Sequence, residues 1–362
     1  MRFGPYADSA KVVEQALSFQ RPDRLPVYDG FWPEFGQRWR TERPDAGTDG
    51  IEEYYWIDLD VPVANECLFP SRVGVVREDG QDVYRDDGWG RIVRTRPGTY
   101  FMEPVSRLLE TRADLDRIVF EPAAADSRYT GLVAEARRQQ QRGRAVFVKI
   151  GGLFIRSSWF RGETEFLMDM VLDPGYARAV VEKMAAHLLQ TGLESLHRAR
   201  AESCGVWVFD DMCNARGPMF SPAVFETIFL PVYQHLVQTL KAAGARRVLL
   251  HCDGNLTPLL DLVVAAGFDG INPVEFGAGM DVAELLPRYW GRLAFVGGVC
   301  NTHVLPGGRP AEIRAHVARL AEAGRNGGLV IGTHSIGPDI SVENYELYRE
   351  TVDATGSATG KR

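Results

Sequence analysis

The sequence predicts an α/β protein built as a (β/α)8 barrel, and three observations predict it. From about residue 145 onward, short β-rich apolar runs alternate with longer segments of helical period, the pattern of parallel strands joined by crossover helices. Six such units are legible, and two earlier runs complete the eight strands that close a parallel barrel. No GxGxxG follows any run, so the structural alternative, a doubly wound open sheet, lacks its phosphate-binding turn.

In chain order the first run is LPVY at 25–28 and the second VPVA at 61–64, the latter interrupted by Pro62, which cannot donate to a ladder. VFVKI at 146–150, VWVF at 206–209, VLLH at 248–251, GINPV at 270–274, LAFV at 293–296 and LVI at 329–331 follow. Between them lie helical segments at 176–200, 222–243 (with Ser221 as N-cap ahead of Pro222), 257–266 and 310–323. Residues 72–120 are rich in Asp, Arg and Gly, hold a hairpin-like stretch at 81–93, and read as an insertion after the second strand. A barrel takes roughly 250 residues, so this chain has room for the insertion and an N-terminal helical extension within one domain over 1–353. The small and polar tail at 354–362 is expected to be frayed and disordered.

Hydrophobic residues make up 45% and charged residues 25%, enough apolar material for a large core. A net charge of −7 argues against a nucleic-acid partner held through phosphates. No window approaches the roughly 18 apolar residues that span a bilayer, and residues 1–6 carry no apolar leader, so no membrane partner is expected and the cytoplasm is the expected compartment. Five cysteines, an odd set without CxxC spacing, suit reduced thiols.

A barrel carries its active site at the C-terminal ends of its strands, so the polar residues directly after each run are the candidates. His251 and Asp253 follow the fifth run and point to one side of an extended end. Glu275 follows the sixth run and His334 the eighth. Two imidazoles and two carboxylates suit zinc, or iron, manganese or cobalt, although a lone strand-end histidine is more often a hydrogen-bonded polar residue. The fourth run leads into Asp210 and Asp211, which fit either an acid/base pair or substrate anchor, or an N-cap and a solvated loop. Cys300 fits a ligand, a substrate contact or a buried thiol. Arg156 and Trp159, after the third run, fit a pocket for an anionic or aromatic substrate, with packing as the alternative for Trp159.

These motifs resemble the uroporphyrinogen decarboxylase superfamily: His251-x-Asp253-Gly254-Asn255, the run at 267–273, Gly297-Gly298-Val299, Gly332-Thr333-His334, and Asp210-Asp211 followed by Gly217-Pro218. The likeness runs from about Arg21 to Val352 and implies a (β/α)8 barrel. The superfamily holds a cofactor-free decarboxylase and methyltransferases that use zinc together with a corrinoid protein. The decarboxylase's arginine-rich motif has no counterpart in residues 27–34, and its substrate-gripping aspartate falls where Asn65 and Glu66 stand, making these two the substrate-binding candidates there. His334 matches a histidine of the decarboxylase. The methyltransferases' His-x-Cys, glutamate and C-terminal cysteine map onto His251, Asp253, Glu275 and His334, with both thiolates replaced by harder donors.

The resemblance therefore implies a metal-dependent, methyltransferase-like enzyme that demethylates a small methylated or methoxylated substrate. Its implied cofactors are a divalent metal, zinc first, and a corrinoid on a partner protein, and a homodimer is a further partner to expect. A metal-free decarboxylase using His334 and Arg156, and a non-catalytic barrel binding a tetrapyrrole or corrinoid protein, are the alternatives.

Overall fold

Barrel strands form where β-branched and aromatic residues run together. The computed structural model, which describes residues 4, 8–99 and 102–357, pairs eight of them in parallel. They are β1 (Val27–Tyr28), β2 (Leu59–Asp60), β3 (Ala145–Gly151), β4 (Gly205–Phe209), β5 (Arg247–His251), β6 (Gly270–Asn272), β7 (Ala294–Gly298) and β8 (Leu329–Gly332). Their spatial order is β1-β8-β7-β6-β5-β4-β3-β2, so each strand lies beside its neighbours in the chain. At the seam the Asp58 N–H donates to Val27 O at 2.9 Å, and the buried Asp58 carboxylate accepts from the Val27 N–H at 2.8 Å. The architecture is the expected (β/α)8 barrel.

The second strand lies ahead of the expected 61–64. Pro62 has no N–H to give, so the ladder stops before it, yet its carbonyl accepts the Lys149 N–H at 2.9 Å and keeps the chain beside β3. The expected helices are present at Pro174–Ala199, Leu260–Ala266 and Pro310–Ala323, and Ser221 caps the helix that begins at Pro222 by accepting from the Val224 N–H at 3.3 Å. The insertion is larger than a hairpin: Gly74–Asp79, Asp82–Asp86, Arg91–Thr95 and Glu103–Arg107 form a four-stranded antiparallel sheet. An Arg107–Glu165 ion pair at 2.5 Å fastens it to the helix Glu163–Leu172. The last helix, Val342–Ser357, reaches into the stretch expected as a tail, and 358–362 lie outside the described residues.

Inward side chains such as Phe147, Trp207, Leu249 and Val330 fill the barrel, and Val13, Ala16 and Leu17 of the N-terminal helix Ser9–Leu17 plug its lower end. The Ala16 carbonyl there accepts the Gly328 N–H at 2.7 Å. At the opposite end β1 runs into Asp29. Its buried carboxylate accepts from the Thr333 N–H at 2.8 Å and from the Tyr345 and Tyr348 hydroxyls at 3.0 and 3.2 Å, tying the loop after β8 to the last helix. Among the described residues no helix is long and apolar enough to cross a membrane.

Candidate metal centre

β5 ends on His251, with Phe209 of β4 and Asn272 of β6 opposite it in register. The Phe209 ring stacks on the imidazole, with centroids 4.1 Å apart and planes 12° from parallel. Asn272 Nδ2 donates to Val296 O at 3.0 Å, so its Oδ1 is the atom left facing His251 Nδ1, at 2.6 Å. The amide oxygen can only accept; Nδ1 therefore carries a proton, and in the neutral ring Nε2 presents a lone pair.

Asp253 on the turn after β5 meets that lone pair. Its Oδ1 lies 3.2 Å from His251 Nε2 and 3.2 Å from His334 Nε2. Gly254 seats the turn: at φ 79° it packs so closely that a Cβ would stand 2.4 Å from Asn214 O. His251 Nε2 and Asp253 Oδ1 are both buried and neither has a hydrogen-bond partner. Two acceptors facing each other are reconciled by a cation between them, either a metal ion or the proton of an imidazolium. Zinc bonds of about 2.0–2.1 Å at tetrahedral angles set neighbouring donors roughly 3.3 Å apart, close to the spacing seen. The donor atoms of His251, Asp253 and His334 all lie within 4.8 Å of one another. β5 and β8 are not adjacent, and the two rings meet over the barrel mouth with centroids 6.2 Å apart.

Two further carboxylates border this trio. Asp211 Oδ1 is 3.8 Å from His251 Nε2 and accepts from the Asp253 N–H at 3.3 Å. Glu275 stands at the other nitrogen of His334, with Oε1 3.7 Å from Nδ1. Val274, just before it, holds φ 57°, a left-handed backbone that β-branched residues rarely adopt. Burial pushes the Asp211 and Glu275 carboxyls up, and the charge on Asp253 adds to both. In Asp253 burial acts the same way, but the two imidazoles outweigh it and hold the carboxyl well below the usual range. Burial lowers His334, and Asp253 and Glu275 together more than restore it.

The other expected site residues are engaged elsewhere. Asp210 does not pair with Asp211. Its buried carboxylate accepts from the Phe154 and Ile155 N–H groups at 2.9 and 2.7 Å, at the start of the helix Leu153–Arg161, and from the Tyr233 hydroxyl. Gly152 makes room for it, since a Cβ there would fall 1.9 Å from Asp210 Cβ. Arg156 is ion-paired with buried Glu66 and sits in the corner formed by the nearly perpendicular rings of Trp89 and Trp159, its guanidinium 4.2 and 4.3 Å from their centroids. Glu66 also accepts from the Gly151 N–H at 2.6 Å. Asn65 Oδ1 accepts from the Cys67 N–H at 3.2 Å, and buried Cys300 contacts Thr302 at 3.5 Å. Asn272, Phe209 and Lys149, whose Nζ lies 3.8 Å from the Phe209 centroid, are the neighbours of the centre that sequence reasoning passed over. The available signal was register, since Asn272 and Phe209 stand level with His251.

An eight-stranded parallel barrel with polar groups gathered on its C-terminal loops defines the class. The chain belongs to the uroporphyrinogen decarboxylase (URO-D) family, whose profile matches residues 123–355. A solved methyltransferase from Methanosarcina mazei shares the fold, with a TM-score of 0.66 at 13% identity over 96% of this chain and 98% of that one. No curated protein matches the chain closely enough to count as a relative.

Proposed function

We propose that this chain is a metal-dependent, methyltransferase-like enzyme that demethylates a small methylated or methoxylated substrate, with a corrinoid on a partner protein as methyl acceptor. The observation that carries the reading is the pair of buried, unpartnered acceptors, His251 Nε2 and Asp253 Oδ1, facing each other beside His334 Nε2. A nitrogen and oxygen donor set favours a borderline or hard ion, zinc first and iron, manganese or cobalt next. The ion, when bound, acts as a Lewis acid toward the oxygen that carries the methyl group. Asn272 keeps His251 in the tautomer that can ligate, and at His334 Nδ1 the Ser335 hydroxyl lies at 3.4 Å with the Glu275 carboxylate near by at 3.7 Å. Asp211, at the rim of the trio, is placed to hold the proton that the demethylated oxygen takes up. The free cysteines fit the reducing cytoplasm.

Elemental analysis of untagged protein purified without chelators, beside the His251→Ala/His334→Ala variant, tests the reading. About one metal per chain, lost in the variant, together with demethylation of a methoxylated compound in the presence of reduced cobalamin, is the expected result. Protein that stays metal-free after reconstitution rejects it and turns the search to metal-free decarboxylation. Arg156 already has Glu66 as its partner, which favours the metal-dependent reading over that alternative.

A further inference from the structure

Lys149 is the inward-facing residue near the end of β3, with apolar Ala145 and Phe147 below it on the same strand face. Its ammonium lies 3.8 Å from the Phe209 centroid. His251 is stacked on the same ring at 4.1 Å, and one face cannot hold both, so lysine, phenylalanine and histidine follow one another in the order β3, β4, β5. Among the described residues the ammonium has no hydrogen bond and no ion pair. Burial draws the ammonium's pKa down; Glu66 and Asp211 oppose that through space, the Arg156 charge adds to it, and Glu66 is already held by Arg156 and the Gly151 N–H. A cation over a ring gains roughly 0.5–2 kcal/mol, which offsets only part of what a half-buried ammonium without an ion pair loses on leaving water. The charge thus lacks its counterion, beside the centre and on the far side of Phe209 from it.

We infer that Lys149 is a specificity-determining residue that binds a carboxylate on the substrate, so that the methylated substrate is an organic acid spanning from Lys149 to the His251, Asp253 and His334 cluster. The inference rests on the demethylase reading for what lies at the cluster end of the substrate. The carboxylate end rests on Lys149.

The test measures, by calorimetry, binding of 4-methoxybenzoate and methoxyacetate, each against its amide, to the full chain reconstituted with zinc. Zinc content and thermal unfolding are recorded on the same samples. At least one acid should bind about tenfold or more tighter than its amide. Lys149→Met should bring that pair within about threefold at unchanged zinc content, with Lys149→Gln as the isosteric neutral variant should Lys149→Met fold poorly, and Lys149→Arg should keep most of the preference. Equal affinity of acid and amide, no binding of either acid up to millimolar concentration, or a preference that survives in the neutral variants overturns the inference. A zinc-free protein whose acid preference depends on Lys149 sustains it while rejecting the metal reading. A zinc-loaded protein blind to the carboxylate does the reverse.

Discussion

Asn272 Oδ1 accepts the Nδ1 proton of His251 across neighbouring strands at 2.6 Å, and this bond aims Nε2 at Asp253. Asn272→Ala frees the imidazole to change tautomer and rotate. Metal affinity is expected to fall about 10–100-fold, with a loss of about 1–3 kcal/mol in stability from the unpaired Val296 carbonyl and His251 nitrogen. Competition with a chromophoric chelator and urea unfolding measure the two effects separately.

Asp29 never touches the trio but accepts from the N–H of Thr333, the residue before His334, and from two tyrosines of the last helix. Asp29→Ala leaves those donors buried without acceptors and is expected to cost about 2–4 kcal/mol. It should also loosen His334, so that chelator removes metal faster than from the parent protein. An unchanged release rate would separate this network from the centre.

Glu66 and Arg156 form a buried ion pair roofed by Trp89 and Trp159. Glu66→Ala strands a buried guanidinium and is expected to destabilise by about 3–5 kcal/mol. Combining it with Arg156→Met should recover a large part of that loss. Urea midpoints of the two single variants and the double variant provide the cycle.

Asp60 at the end of β2 is pushed up to about 6, chiefly by burial and then by the charge of Glu135, and its Oδ2 has no hydrogen-bond partner. A carboxyl that binds its proton more tightly in the folded state than in the unfolded one makes stability fall as pH rises from about 4 through about 6. Asp60→Asn removes that penalty. Its stability relative to the parent should be near zero at pH 4 and positive by about 1–2 kcal/mol at pH 7. A difference independent of pH in thermal unfolding would refute the assignment.

The barrel is legible in the chain because parallel strands buried on both faces leave apolar runs separated by helical period. Where the ladder begins in β2 is not, since Pro62 sits inside the run and only the approach of β3 decides which of its neighbours pair. His251 is legible as the last residue of its strand, and Asp253 and His334 because each follows a strand end by only two residues. Asp210 and Arg156 occupy equally suggestive positions, yet a helix N-terminus and Glu66 claim them, and those partners lie 55 or more residues away in the chain. Lys149 is hidden for the opposite reason: inside VFVKI it reads as one polar residue of a strand, and only barrel closure turns it toward Phe209.

The donors that converge on the centre come from the end of β5 and the loops after β5 and β8, with Asn272 at the end of β6 and Glu275 just after it, whereas Lys149, Asp211 and the inserted sheet belong to the β2 to β4 side of the ring. On the proposed reading the molecule separates two tasks along its own chain. On that reading the later half would hold the ion and the earlier half would choose the molecule brought to it. Substitutions that change which molecule is bound can therefore fall in the earlier half without touching the donor atoms of the later one.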